Sequence, residues 1–449
     1  MKENNNVIEL SAVEAPTEPV TINGKVITDC ELAILTEMNE TYAHIVIGAK
    51  HRIMTFKPCS IDGKRMTFES IKDFYNYFEH KPKIAESNQG RTWFKWSEKR
   101  FYSDGIGYYP DKTKAPSKLF NTFQGFGCQP VDGNVSLILN HIHEVLCGGD
   151  SIASTYFIHW LAHLFQKPAD KPSVAILMKS AEGTGKGTLY KLLKKMLGSN
   201  ANQVNGHYQL TGRFNSVIAG KLLIFGDEVD LTSKAVFDKA KGIISEPTIS
   251  LELKGIDAEP IPNFARFIFA GNHGQILRAG TRERRFLVIE PSSKKVDDKK
   301  YFSELNTLID GDGASYFLEH LINLDISSFN PYKAPVTKGL IEEKLSSLVP
   351  TLSFFHEELH KEKPFNNAAR LYANDLISLY MQWSENNNLT PTIACARTQI
   401  GKTMKSLNFK AIGRSGRDKG IYYDLPCNDN FKAVFSIHLG HNSDDIFSL

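Results

Sequence analysis

One stretch constrains this chain more than any other: Ser180-Ala181-Glu182-Gly183-Thr184-Gly185-Lys186-Gly187-Thr188. It follows the apolar run 174–178 and opens onto the amphipathic pattern Leu189-Tyr190-Lys191-Leu192-Leu193. A buried strand, a glycine-rich turn and the start of a helix make an anion cradle. Successive backbone N–H groups and the positive end of the helix face the anion, and a lysine adds a mobile charge. Gly183, Gly185 and Gly187 let the backbone approach phosphate oxygens with no Cβ in the way. The pattern departs from G-x-x-x-x-G-K-[ST] at two places. Ser180 stands where the first glycine is usual, and Gly187 follows the lysine, so the hydroxyl comes one place later at Thr188. The loop therefore predicts a nucleoside triphosphate, bound by Gly183, Thr184, Gly185, Lys186, Gly187 and Thr188. It leaves open which machine the nucleotide drives.

Downstream, Leu222-Leu223-Ile224-Phe225 forms a run suited to a strand covered on both faces, ending at Asp227-Glu228. In nucleotide-binding sheets, carboxylates at strand ends hold metal and activate water. Asp227 is expected to hold Mg²⁺ directly or through water, and Glu228 to orient or deprotonate the attacking water. A third run, Ala265-Arg266-Phe267-Ile268-Phe269-Ala270, ends in Gly271-Asn272, whose amide can bridge that water and a γ-phosphate. Alone, Asn272 is equally a turn residue. Residues 249–257 alternate like a strand and turn at Lys254-Gly255, the tip of a hairpin. Arg282-Glu283-Arg284-Arg285 precedes another strand pattern. These arginines are either a solvated edge or include one that neutralises transition-state charge in a neighbouring subunit.

In this order, the loop, the Asp-Glu strand, the basic hairpin, the Asn-ended strand and the arginine cluster resemble superfamily 3 helicases. The likeness is strongest to the helicase module of phage, plasmid and poxvirus-type primase-helicases, over about residues 135–330. It implies an α/β AAA+ core, a parallel sheet with flanking helices, working as a homo-hexamer that hydrolyses ATP between subunits. It also implies roles: Lys186 and Thr188 at ATP and Mg²⁺, Asn272 as sensor, Lys254 as a DNA-translocating lysine, and Arg285, then Arg284, as the finger. Residues 93–130 also resemble the module preceding such helicases. A primase of that kind needs an Asp-x-Asp or Asp-x-Glu motif with a separate histidine on a strand; before residue 130 only Asp29-Cys30-Glu31 has the spacing, and the segment is read as lacking the site. The expectation is therefore a helicase served by a separate primase or a host replisome.

The remaining chain divides around this core. Residues 1–20 read as a flexible tail, 21–130 as a small α+β module, 131–170 as a helical collar and 171–335 as the ATPase domain. Within the module, residues 91–118 interleave aromatic and basic groups, either a stacking platform for single strands or a hairpin core with a solvated basic face. In the collar, His141 and His143 read as helix-face residues, and Asp150 or Ser151 as the cap of a second helix. Residues 345–425 read helix, helix, then a hairpin with a basic tip, the pattern of a winged helix, with Arg414, Arg417 and Lys419 placed for phosphate contacts. Residues 426–449 read as a tail.

Composition limits the alternatives. With 41% hydrophobic and 23% charged residues the chain is a soluble globular type, and a net charge of +3 leaves DNA binding to local patches. Six cysteines without C-x-x-C spacing fit reduced thiols, and no run reaches the 18 apolar residues of a membrane span. A cytoplasmic protein, in a bacterial host, with single-stranded or forked DNA as partner is the expectation. The alternatives are an origin-binding initiator that ATP merely switches, and a nucleotide kinase, whose loops also end Lys-Gly-Thr. The kinase leaves Asp227, Glu228, Asn272 and the basic C-terminal segment without a task.

Overall fold

The computed structural model describes residues 20–59, 63–179, 182–206, 208, 217–251, 259–272, 274–280, 283–413 and 420–448. Lys254, Arg414, Arg417 and Lys419 lie outside these residues, as do Ser180, Ala181, Arg282 and the expected tail up to residue 19. The chain forms two compact units, residues 1–124 and 125–449. Among the described residues no helix is long and apolar enough to cross a membrane.

In the first unit three strands, Tyr42–Ile47, Lys50–Cys59 and Gly63–Glu69, pair antiparallel, and Phe101–Tyr102 joins the first of them in parallel. Helices Asp29–Thr41, Ile71–Tyr77 and Gln89–Lys95 supply Leu35, Met38, Phe74 and Trp93 to a core that includes Ile53 of the sheet. Thr28 starts the first helix with a capping box to Glu31. The aromatic–basic run 91–118 thus begins as a helix, and Trp93 and Trp96 are buried in the core. Phe101 stacks on His44 at 4.4 Å, with the Lys99 ammonium 5.7 Å from its ring.

The second unit is built on a five-stranded parallel sheet. From edge to edge its strands are Ala201–Asn205, Leu223–Asp227, Arg266–Gly271, Ala175–Lys179 and Phe286–Ile289. A parallel sheet covered on both faces needs near-continuous apolar strands, and every residue of 175–178, 223–226, 266–271 and 286–289 is buried. The strand after the loop strand in sequence lies at the far edge, and two later strands fill the gap. The carboxyl ends of the loop strand, the Asp227 strand and the Asn272 strand therefore lie side by side, the switch-point arrangement in which α/β sheets bind ligands.

One polar residue interrupts this core. Arg266 is 1% exposed, and its guanidinium donates to the carbonyls of Trp160, His163, Lys167 and Asp170 at 2.7–3.4 Å. Trp160 and His163 lie in the last two turns of the helix Ser151–Gln166 and Lys167 and Asp170 just beyond it, and the helix's other end is capped by Asp150 accepting from Ile152 and Ala153. A carboxylate at the N-terminus and a guanidinium at the C-terminus both oppose the helix dipole. Burial lowers the Arg266 pKa to about 9, which leaves it charged at neutral pH.

After the sheet, helices Lys338–Ser346, Pro350–His360, Ala373–Asn386 and Ile393–Ser406 surround a small antiparallel sheet of Arg370–Tyr372, Ile421–Asp424 and Ile412–Gly413. Residues 426–449 differ from the expected tail. They form helices Asn428–Leu439 and Ser443–Phe447, because Phe431, Phe435 and Leu439 fall four apart and bury one helix face against Phe355 and Phe365.

Burial of histidines predicts an acid-sensitive fold. His44, His141 and His163 are each at most 5% exposed, and burial, the largest cause at each, lowers their pKa to about 4. Between pH 6.5 and 4 the unfolded chain binds protons that the folded chain refuses, so stability is present above that window and lost as pH falls through it. Each histidine contributes at most about 3 kcal/mol to that loss. Thermal melting between pH 7.5 and 4.5 should show a steep fall in Tm, and a flat profile would contradict the assignment.

Candidate functional site

The loop strand ends at Lys179, and the helix Lys186–Leu197 begins immediately after Gly185, which is its N-cap at φ +91°. Gly183 has φ +76°. Both values lie where a side chain is disfavoured. The loop is also tightly backed. A Cβ added at Gly185 would stand 2.5 Å from Cε1 of His141. His141 is 3% exposed, hydrogen-bonds through Nδ1 to the Tyr301 hydroxyl at 2.9 Å, and is held neutral by burial. Its ring is the floor on which the loop rests. Gly185→Ala is therefore expected to weaken binding of a nucleotide analogue at least tenfold, ~1.4 kcal/mol, and to lower Tm as well, because the Cβ is strained at this φ and meets the buried ring. Equilibrium titration with a fluorescent analogue checks this.

Above that floor lies a cleft of about 480 Å³, lined by residues 182–188, Asp227, Glu228, Asn272 and Phe302. The Lys186 ammonium donates to Asn272 Oδ1 at 2.5 Å. Partial burial holds the Lys186 pKa below the usual lysine value, with Asp227 and Glu182 acting in the opposite direction. Glu228 follows directly on its strand and is exposed, with φ +52°. A left-handed backbone at a glutamate costs on the order of 1–2 kcal/mol. It turns the carboxylate-bearing residue out of the strand and into the cleft rim. The backbone of Val229 then donates to the Ala270 carbonyl at 3.0 Å, fastening the Asp227 and Asn272 strand ends together. Chemically this is a cradle of N–H groups with one ammonium, three carboxylates and an amide around one opening.

The structure thus brings together Gly183, Thr184, Gly185, Lys186, Gly187, Thr188, Asp227, Glu228 and Asn272. Arg284 and Arg285 are elsewhere. The Arg285 carbonyl accepts from Ala175 N at 2.8 Å, at the start of the loop strand. Lys186 lies beyond the opposite end of that five-residue strand, roughly 17 Å along it. Arg285 Nε donates to Ser245 Oγ at 2.9 Å, whereas Arg284 is exposed. The strands Thr248–Leu251 and Glu259–Pro262 pair antiparallel, and the connection carrying Lys254 lies outside the described residues. Sequence reasoning missed the part of Phe302 and the floor formed by His141 and Tyr301. Nothing local marks them, since they meet the loop only through the fold.

Comparisons with known proteins agree with this architecture. The profile of a family of unknown function, DUF5906, matches residues 178–285. A DNA primase-polymerase of Nitratiruptor phage NrS-1 is 25% identical over 216 residues, 47% of this chain and 29% of that protein. The aligned part is thus under a third of the phage protein's length. An apo structure of the NrS-1 C-terminal region superposes with a TM-score of 0.64 at 16% identity, covering 87% of this chain and 98% of that one. A second, in its A form, gives 0.64 at 17% identity with the same coverage. At such identity the likeness is one of fold.

Proposed function

We propose that this chain is an ATP-dependent DNA helicase of the superfamily 3, AAA+ type, acting in replication of a phage or related mobile element. The observation that carries the reading is the Lys186–Asn272 contact of 2.5 Å, in a cleft that Asp227 and Glu228 also line. Phosphate loop, acidic pair and polar sensor come from three neighbouring strand ends, which is how P-loop ATPases divide the work. The similarity to a phage primase-polymerase supports the replication context.

The residues fit ATP with Mg²⁺. Gly183 and Gly185 hold the loop at positive φ directly before the helix that begins at Lys186, which shapes the backbone as an anion cradle. Among the described residues no three His, Cys, Asp or Glu side chains converge on a metal position. Mg²⁺ suits such a site, because it is commonly bound by one or two protein groups together with phosphates and water. Thr188 and Asp227 would hold it, and bound there it would neutralise charge on the phosphates. Lys186 binds the phosphates, Glu228 orients and deprotonates water, and Asn272 bridges that water to the γ-phosphate. Arg284 or Arg285 reaches the site of a neighbouring copy in a homo-hexamer. Lys254 engages DNA, and Arg414, Arg417 and Lys419 hold its backbone.

Strand displacement on forked DNA, beside DNA-stimulated ATPase measurement, tests the reading. Lys186→Ala should remove both activities, and full activity in that variant would refute the reading. Sequence-specific binding without displacement would instead favour the ATP-switched initiator.

A further inference from the structure

The helix Lys338–Ser346 belongs to two cores at once: Leu340 packs with the central sheet and Ile341 with the C-terminal helices. Between them stands Glu343, a carboxylate with 0% exposure. Its Oε2 accepts from the backbone N–H of Ile276 at 3.1 Å and of Leu277 at 2.8 Å, four and five residues after Asn272. Its Oε1 lies 3.3 Å from the ammonium of Lys179, the last residue of the loop strand. Lys179 also faces Glu342 at 3.5 Å and Glu290 at 3.8 Å, so one cation is shared by three carboxylates. Ser347 continues the clamp. Its Oγ accepts from Ala279 N at 3.0 Å and Gln275 Nε2 at 2.8 Å, and donates to the Leu277 carbonyl at 3.1 Å. Next along the helix, Lys344 Nζ contacts His441 Nε2 at 2.8 Å.

A buried carboxylate is expensive unless paired and hydrogen-bonded. Here Oε2 accepts two hydrogen bonds from the segment after Asn272, and Oε1 makes no hydrogen bond but faces Lys179, where the loop strand ends, as an ion pair. We infer that Glu343 is a positioning residue: it fixes the segment following Asn272 against the loop strand, and so sets where the Asn272 amide stands relative to Lys186. This rests on the ATPase reading above. Because the phosphates are gripped by the loop itself, Glu343 governs the turnover step rather than nucleotide affinity.

Glu343→Gln keeps an acceptor for the two N–H groups and removes the charge facing Lys179, and Ser347→Ala loosens the same clamp without touching a buried charge. In the full chain both should lower the ATPase kcat about tenfold with KM unchanged. In an Asn272→Ala background Glu343→Gln should add nothing further, as expected of residues acting through one another. Additive losses, an unchanged kcat in both variants, or a raised KM would overturn the inference. Amide hydrogen exchange separates it from the ATPase reading. Faster exchange at residues 275–279 in both variants, in a chain whose native form has no ATPase, would sink the enzyme and keep the clamp. Unchanged exchange would sink the clamp whatever the turnover.

Discussion

Glu228→Gln is expected to lower the ATP turnover number by about 10²–10⁴-fold, the usual contribution of a positioned general base. Nucleotide affinity should stay within a few-fold of native. The separation follows from the geometry. The loop glycines and Lys186 form the anion cradle, whereas Glu228 stands at the rim of the cleft after the Asp227 strand, which the Arg266–Gly271 strand separates from the loop strand. Glutamine matches glutamate in shape, so the strained backbone at φ +52° is asked to hold the same volume and the fold is not perturbed. What is lost is an acceptor for the proton of the attacking water. Steady-state ATPase kinetics with an analogue titration decide it. A kcat within tenfold of native would remove Glu228 from the mechanism and move attention to Asp227. The same variant should still bind forked DNA in the presence of ATP and fail to separate its strands.

The parts of this site that were legible in the sequence are those whose meaning is local. A glycine-rich turn after an apolar strand, an acidic pair after another and an asparagine after a third each carry their own signal. Parallel packing of fully buried strands then has few ways to arrange them. The loop floor was not legible. His141 meets Gly185 from 44 positions away in sequence, and at the level of pattern it is one helix-face residue among several. Arg266 was hidden for a related reason. Within Ala265-Arg266-Phe267-Ile268 it reads as a break in an apolar run, and only the helix end above it explains a charge in the sheet. The aromatic and basic run from 91 to 118 shows the limit of composition, since Trp93 serves as core for helices that lie before it in the chain. Residues 426–449 misled in the opposite direction. Asn428, Asp429 and Asn430 at one helix start and Asn442, Asp444 and Asp445 at the other look like loop, yet at the second Asn442 and Asp445 form a capping box.

Arg284→Ala is expected to lower kcat by about 10³–10⁵-fold, the range for a transition-state arginine supplied from outside the site. It should leave nucleotide binding intact. Neither arginine can serve its own chain: Arg285 is hydrogen-bonded to the first residue of the loop strand, and Lys186 lies past the last. Charge neutralisation at the phosphates, if these residues supply it, has to come from a second copy. Of the two, Arg284 is exposed and Arg285 is tied through Nε to Ser245, so the larger loss should fall on Arg284. Mixing separates this from simple damage. Arg284→Ala chains keep an intact loop, and Lys186→Ala chains keep an intact arginine; each is inactive alone. Assembled together at equal amounts, roughly a quarter of the heterologous interfaces join a good loop to a good arginine, and ATPase activity should reappear. Co-assembly is verified by differently tagged chains. Mixed assemblies that form and stay inactive would show that the arginines do not act across the interface, and the cleft at Lys186 would then have to be complete within one chain.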